Sequence, residues 1–280
     1  MGSNEDDSMN LTAEEKSQRS RLNDWYQLGQ SPLMLSIERS VCGCDYGASS
    51  WTTQAEAQEI ASLLQLEHQT MLLDLGSGSG WPALYMAKIT GCDVALVDLP
   101  VEGLRIARTR VEQDNNSGAC WVAVADAAEL PFGVATVDAL CHADLLCCLK
   151  RKLEVLSDCR RVLRPGGRMV FTVISVVPGL APVDHVRAVT SGPEFIESQA
   201  SYPVLLAEAG WTVIEQRDIT REFTVLTRQR LTAELKQRSK LEAQTNATEV
   251  EERIAGGRSR LLALSDGLLK RELFIVSHDQ

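Results

Sequence analysis

DLGSGSGW, residues 74–81, is the stretch that decides the fold of this chain. Three glycines alternate with serines directly after the apolar run TMLLDL and directly before a tryptophan. Glycine is costly inside regular elements and is kept where the backbone needs φ > 0 or where something approaches it closely. A short apolar strand, a glycine turn and then the helical WPALYMAKITG make one strand–turn–helix unit.

The same rhythm continues on the C-terminal side. DVALVDL, CWVAVAD, VDALC, RMVFTVIS and WTVIEQRD read as strands, separated by the helical VEGLRIARTRVEQD, KLEVLSDCRRVL and YPVLLAEAG. Continuous apolar strands alternating with helices predict a doubly wound α/β sheet of mostly parallel strands. RPGG is expected to stop the helix that precedes RMVFTVIS. Residues 219–269 are long, charged and helical, and RELFIVSH returns as a seventh strand. That excursion exceeds an ordinary connection. On the N-terminal side, residues 20–69 read as helical in two pieces broken by CGCDYGASS, and Thr52 or Thr53 caps the helix at TTQAEAQEIASLLQL. The expected organisation is a flexible end over 1–20, a helical cap over 21–69, a core over 70–218, a helical insertion or lid over 219–269 and the last core strand over 270–280.

Composition excludes several classes. The chain has 280 residues, 44% of them hydrophobic, enough for one large core. It carries 28 basic and 38 acidic residues, a net charge of −10, which argues against a nucleic-acid partner. No run of about 18 apolar residues predicts a membrane helix. The opening MGSNEDDSMN lacks the basic start and apolar stretch of a secretory signal, so a cytoplasmic setting is expected. The eight cysteines sit mostly in apolar runs without a C-x-x-C pair, and are expected to be free and buried with no metal bound. The N-x-S/T triplets at Asn10, Asn115 and Asn246 are read as chance.

The glycine spacing separates two ligands. A dinucleotide fingerprint is G-x-G-x-x-G. Here Gly76, Gly78 and Gly80 give G-x-G-x-G, and Trp81 stands where the third glycine belongs. D-x-G-x-G-x-G, with Asp74 at its head, resembles the first motif of the class I methyltransferases, which bind S-adenosylmethionine. The remaining marks follow in order: Asp98 ending VALVDLP, Asp126 in ADAAELPF, the fourth-strand segment VDALCHADLLCCL, and LRPGGRMVF. The resemblance covers about residues 50–218 and the last strand, within a type 11-like, small-molecule branch. It implies a seven-stranded Rossmann-like sheet. It implies cofactor contacts from Asp74, Gly76, Ser77, Gly78, Gly80 and Trp81, from Asp98 and Leu99 at the ribose, from Asp126 and Ala127 at the adenine, and from His142. The resemblance also implies that Tyr46, Trp51 and Thr52, in the segment before the first strand, fold over the cofactor.

The family's usual histidine beyond the fourth strand is absent, and Cys147 and Cys148 stand where an acid–histidine pair is common. His142 is the remaining candidate base, and packing is its competing role. An arsenic-methylating reading of Cys147 and Cys148 with Cys42 and Cys44 fails on placement, because the vicinal pair begins a helix and only one thiol can easily face a pocket. His185 is expected in an exposed loop after the fifth strand. The resemblance implies methyl transfer to a small molecule; oxygen or nitrogen is expected as acceptor ahead of carbon or sulfur, and a homodimer is the assembly to test. A non-catalytic cofactor-binding scaffold and a nicotinamide-dependent oxidoreductase are the rival functions.

Overall fold

The computed structural model describes residues 11–113 and 118–278. Seven strands form one sheet: β1 (Met71–Leu75), β2 (Asp93–Asp98), β3 (Cys120–Val124), β4 (Val137–Ala143), β5 (Leu163–Val176), β6 (Thr212–Asp218) and β7 (Leu269–Ser277). Their order across the sheet is β3-β2-β1-β4-β5-β7-β6. β1 to β5 pair in parallel, and β7 runs antiparallel to both β5 and β6. The chain reverses from β1 outward, β2 and β3 lying to one side and β4 and β5 to the other, so the switch point falls between β1 and β4, where ligands of open α/β sheets bind.

The central strands are buried on both faces. Leu73, Leu75, Val97, Leu140 and Phe171 enter one core, and Leu72, Val94, Leu96, Cys141 and Val170 enter the other. At the edges the continuous apolar text misleads: Trp121 on β3 is 51% exposed, and much of β6 faces solvent. An edge strand has a neighbour on one side only, and no helix layer covers these residues fully.

α1 (Ala13–Gly29), α2 (Pro32–Cys42) and α3 (Gln54–Leu63) precede the sheet. Two sequence expectations are corrected here. Helix begins at Ala13 and not after residue 20, because Thr12 and Glu15 form a reciprocal capping box. The segment before CGCDYGASS is also two helices, broken at Gln30–Ser31–Pro32, where Ser31 caps α2 and Pro32 opens it. Residues 1–10, the rest of the expected flexible end, lie outside the described residues, as do Asn10, Asn115 and residues 279–280. Thr53, not Thr52, caps α3.

α4 (Ala83–Thr90), α5 (Val101–Gln113), α6 (Lys152–Val162), α7 (Pro182–Ser191) and α8 (Tyr202–Glu208) cover the sheet. RPGG ends α6 but belongs to β5: Val137 pairs with Leu163 and Ala139 with Arg168, so Gly166, at φ +81°, loops out inside the strand. His185 lies within α7, not in a loop, and hydrogen-bonds Glu197 at 3.0 Å. The excursion is three helices, α9 (Thr220–Lys236), α10 (Arg238–Gln244) and α11 (Ala247–Ser265). Their apolar faces close on α2 through Met34, Ile37, Leu231, Leu241, Val250 and Ile254. Leu235 and Leu262 are exposed. The eight cysteines are unpaired, and the described residues hold no metal-binding cluster. No helix among them is long and apolar enough to cross a membrane.

Candidate active site

The glycine loop leaves β1 at the switch point and turns back on itself. The N–H groups of Gly76 and Ser77 both donate to Val97 O, at 2.8 and 3.2 Å, and Gly80 N–H donates to Ser77 O at 2.8 Å. Gly78 N–H donates to Asp98 Oδ2 at 2.8 Å. These amides are therefore consumed within the fold. A phosphate-binding loop keeps such amides for the ligand, so this loop is not built as a pyrophosphate cradle.

Each glycine has its own reason. Gly76, Gly78 and Gly80 all have positive φ. A Cβ on Gly76 would come within 2.8 Å of Leu145. A Cβ on Gly78 would collide with the Tyr26 phenol, and one on Gly80 with Leu84. The protein's own Leu145 and Tyr26 occupy the space that a Cβ on Gly76 or Gly78 would need. Tyr26 comes from α1, so the cap lies directly on the loop.

Polar atoms around the loop are left over. Asp74 is 1% exposed; its Oδ1 accepts from the Cys141 thiol at 3.3 Å and its Oδ2 has no partner. The hydroxyls of Ser77, Ser79 and Thr52 are buried and unpartnered as well. Such groups are rare in folded proteins and each calls for an explanation. Burial pushes Asp74 well above the usual carboxylate range.

A cleft of about 90 Å³ lies beside the loop. Gly76, Asp98, Leu99, Asp126 and Ala127 line it from the sheet side, and Leu11, Glu15, Gln18, Arg19 and Leu22 cover it from α1 and its lead-in. Asp98 accepts from Gly78 and, at 2.8 Å, from Leu99 N–H. Each of its oxygens keeps a second lone pair. Burial pushes its pKa up to about 6 against those two bonds. Asp126 pairs with Arg151 and accepts from Ala128 N–H at 2.8 Å. α1 is fastened over the cleft by Lys150 to Glu14 at 2.5 Å and by Gln18 to Cys148 O at 3.1 Å.

Not every expected contact meets the cleft. Trp81 turns into the cap, its ring N–H donating to Thr52 O at 2.9 Å and its face 5.1 Å from Tyr46. Tyr46 O in turn accepts from Arg110 at 2.9 Å, which also binds Ser79 O at 3.0 Å. Trp81 and Tyr46 thus brace the loop from behind. His142 is 2% exposed, stacked 4.6 Å from Phe171, with both ring nitrogens unpartnered. Burial alone pushes its pKa down to about 3, so the titration near 6.5 that a free histidine would show is not expected here. Cys147 and Cys148 form a 3-10 turn with both thiols on Asp144 O, at 3.1 and 3.5 Å. Tyr26, Leu145 and Arg151 escaped the sequence reading, since nothing in their local text marks them.

Comparison with known proteins agrees with this geometry. Residues 73–171 match a family model described as a methyltransferase domain. The chain is 30% identical over 157 residues to the methyltransferase GfsG of Streptomyces halstedii, covering 54% of this chain and 56% of that protein. It is 31% identical over 173 residues to a 27-O-demethylrifamycin SV methyltransferase of Amycolatopsis mediterranei, covering 58% of this chain and 61% of the relative. It thus spans under two thirds of the length of these relatives. Its fold superposes on a Haemonchus contortus phosphoethanolamine N-methyltransferase 2 with a TM-score of 0.76 at 20% identity, over 92% of this chain and 60% of the other.

Proposed function

From a chain whose residues 73–171 belong to the methyltransferase domain family, we propose S-adenosylmethionine-dependent transfer of a methyl group to a small-molecule acceptor. The observation that carries the reading is the set of unpartnered buried oxygens in and around the glycine loop: Asp74 Oδ2 at the end of β1, Ser77 Oγ and Ser79 Oγ in the loop, and Thr52 Oγ1 before α3. They suit the ammonium and carboxylate of the cofactor's amino-acid end, with Asp74 accepting and the hydroxyls donating. An approaching ammonium would also bring the Asp74 carboxyl back toward its ionised form. Asp98, with spare lone pairs, suits the two ribose hydroxyls. Leu99, Ala127 and Asp126 suit the adenine.

When bound, the cofactor supplies a methyl group already activated on a sulfonium sulfur. What this chain's residues must then add is alignment and exclusion of water. The cleft, at about 90 Å³, is smaller than the roughly 300–1,000 Å³ of small-molecule sites, so α1 has to lift for entry. We assign α1 and the helices α9 to α11 jointly to the cover.

We take the acceptor atom to be oxygen or nitrogen. Both bring a lone pair of their own to attack the methyl, and His142, at a pKa of about 3, is too weak a base to prepare an acceptor by removing its proton. The amides spent inside the loop favour this reading over a nicotinamide oxidoreductase. Calorimetry with S-adenosylhomocysteine, followed by labelled methyl transfer from S-adenosylmethionine into small-molecule fractions, tests the proposal. Absence of binding removes the cofactor assignment, and binding without transfer leaves the scaffold reading in its place. Light scattering on the same sample measures the expected homodimer.

A further inference from the structure

We propose that the cavity among α1, α9 and α11 is an oxyanion subsite for the methyl acceptor, in which Arg230, Arg253 and Arg260 hold a carboxylate or phosphate group. The inference rests on the methyltransferase reading above and narrows its substrate class to small organic anions.

The cavity measures about 330 Å³, and its walls include the three arginines with Trp25, Trp51 and Ser49. Its charges do not balance. Arg230 is paired with the buried Glu234 at 3.5 Å. Among the described residues Arg253 and Arg260 make no ion pair, and the one other acid on the wall, Glu252, is exposed. Arg253 donates only to the Met34 sulfur, at 3.4 Å. Arg260 Nε is buried without a hydrogen-bond partner. Desolvation pushes both guanidinium groups below their ordinary pKa, with Arg230 adding to the effect and Glu234 acting against it. Unpaired cations held out of water are unfavourable unless something of opposite charge meets them.

The arginines are held in place by the tryptophans. Arg253 lies 4.4 Å over Trp25, Arg230 5.4 Å over both Trp25 and Trp51, and Arg260 5.5 Å over Trp51. A guanidinium over a ring is satisfied on its face, while its N–H donors lie at its edge and still need acceptors. Planar forks of this kind match carboxylate and phosphate oxygens in pairs.

Space has been kept for that ligand. Arg253 and Arg260 stand two turns apart on α11, and between them lie Gly256 and Gly257, which also line the cavity. Glycine in the middle of a helix weakens it. A Cβ on Gly256 would meet nothing within 4 Å, so packing does not require the glycine. The room it leaves opens into the cavity.

The cavity adjoins the glycine loop. Ser49, on its wall, is 3.5 Å from the Tyr26 hydroxyl that covers Gly78. Trp51, also on the wall, precedes Thr52, whose carbonyl binds Trp81. An acceptor anchored by its anion between α9 and α11 therefore has its other end directed to the cofactor side.

The test uses the full chain saturated with S-adenosylhomocysteine and titrates it by calorimetry with inorganic phosphate and with benzoate. The parent should bind one of them, phosphate marking a phosphate ester and benzoate a carboxylic acid as the acceptor. Arg260→Gln should weaken that binding tenfold or more, Arg260→Lys should weaken it less, and S-adenosylhomocysteine affinity should stay within twofold. Gly256→Leu keeps every charge and fills the space, and it should weaken the anion as well. No binding of either anion up to tens of millimolar, or equal binding in parent, Arg260→Gln and Gly256→Leu, overturns the subsite. So does a loss of S-adenosylhomocysteine affinity in Arg260→Gln without any anion effect, which would give the arginines to the cofactor's carboxylate. If the parent binds no S-adenosylhomocysteine, the methyltransferase reading fails by itself, and the same anion titrations on the chain alone still decide the arginine site.

Discussion

Two arginine groups in this molecule are treated in opposite ways. Arg271, on β7, is 1% exposed and fully engaged. Its Nε donates to both oxygens of Asp144 at 3.0 and 3.1 Å, and its Nη groups reach Glu56 at 3.2 Å and Thr172 at 3.1 Å. Burial works against its charge, but Asp144 and Glu56 hold its pKa above the ordinary value. This one side chain ties α3, the bend after β4, β5 and β7 together. Arg253 and Arg260, by contrast, have aromatic faces beside them and no carboxylate paired to them. A buried cation with its anions built in belongs to the fold, and the unpaired guanidinium groups are the ones the anion subsite proposed above would use.

The comparison can be broken most severely at Arg271. Arg271→Met leaves Asp144 and Glu56 buried without their cation, and should cost about 3–5 kcal/mol of stability in a denaturant titration. A loss below about 1 kcal/mol would show that the network does not hold the fold.

Asp98 extends the contrast to a carboxylate that is part satisfied and part reserved. Asp98→Ala should weaken S-adenosylmethionine by about 1–3 kcal/mol, roughly ten- to a hundredfold, by calorimetry. The pH dependence has a definite sign. The folded-state pKa of about 6 lies above the ordinary value near 3.9. Stability from this group is therefore lost as pH rises between those two values and is level above about 6. Cofactor hydroxyls donate to the ionised form, so affinity should rise through about pH 6 and then level off. Asp98→Asn should remove that rise, and an unchanged profile in the variant would assign it to another group, Asp74 first.

His142 sharpens the rule, because its unpartnered nitrogens are packed against Phe171 and do not border an identified cavity. His142→Phe keeps a ring and removes two unsatisfied polar atoms. It should raise stability by about 1 kcal/mol with S-adenosylhomocysteine affinity unchanged. A clear loss of affinity would instead make the imidazole a cofactor contact. The smallest effect is expected at the cavity: Arg260→Met should change stability by less than about 1 kcal/mol, or increase it, since no buried partner is orphaned. A loss like that of Arg271→Met would erase the distinction between the two groups.

Much of the site is readable locally. The alternation of strands and helices, the turn at Gly76, Gly78 and Gly80, and the acids at Asp98 and Asp126 all follow from period, turn chemistry and position at strand ends. The cleft does bring Gly76, Asp98, Leu99, Asp126 and Ala127 together. Trp81 and Tyr46 do not line that cleft, for a physical reason. An aromatic beside a glycine loop can face the ligand or the cap equally well, and here Thr52 O draws the indole N–H backward.

By itself, then, the sequence determined what depends on neighbours within about one turn or one strand: the elements, their caps, and the spacing that separates this glycine loop from a dinucleotide fingerprint. Only the tertiary structure decided what depends on distant segments. It set β7 between β5 and β6, laid Tyr26 on Gly78, and brought Arg230, Arg253 and Arg260 around Trp25 and Trp51. In the arginine cavity the charges come from α9 and α11 and the rings from α1 and the loop before α3, more than 170 residues away. Helical period places Arg253 and Arg260 on one face, but whether that face meets water, an acid or an empty cavity is a property of the packed chain.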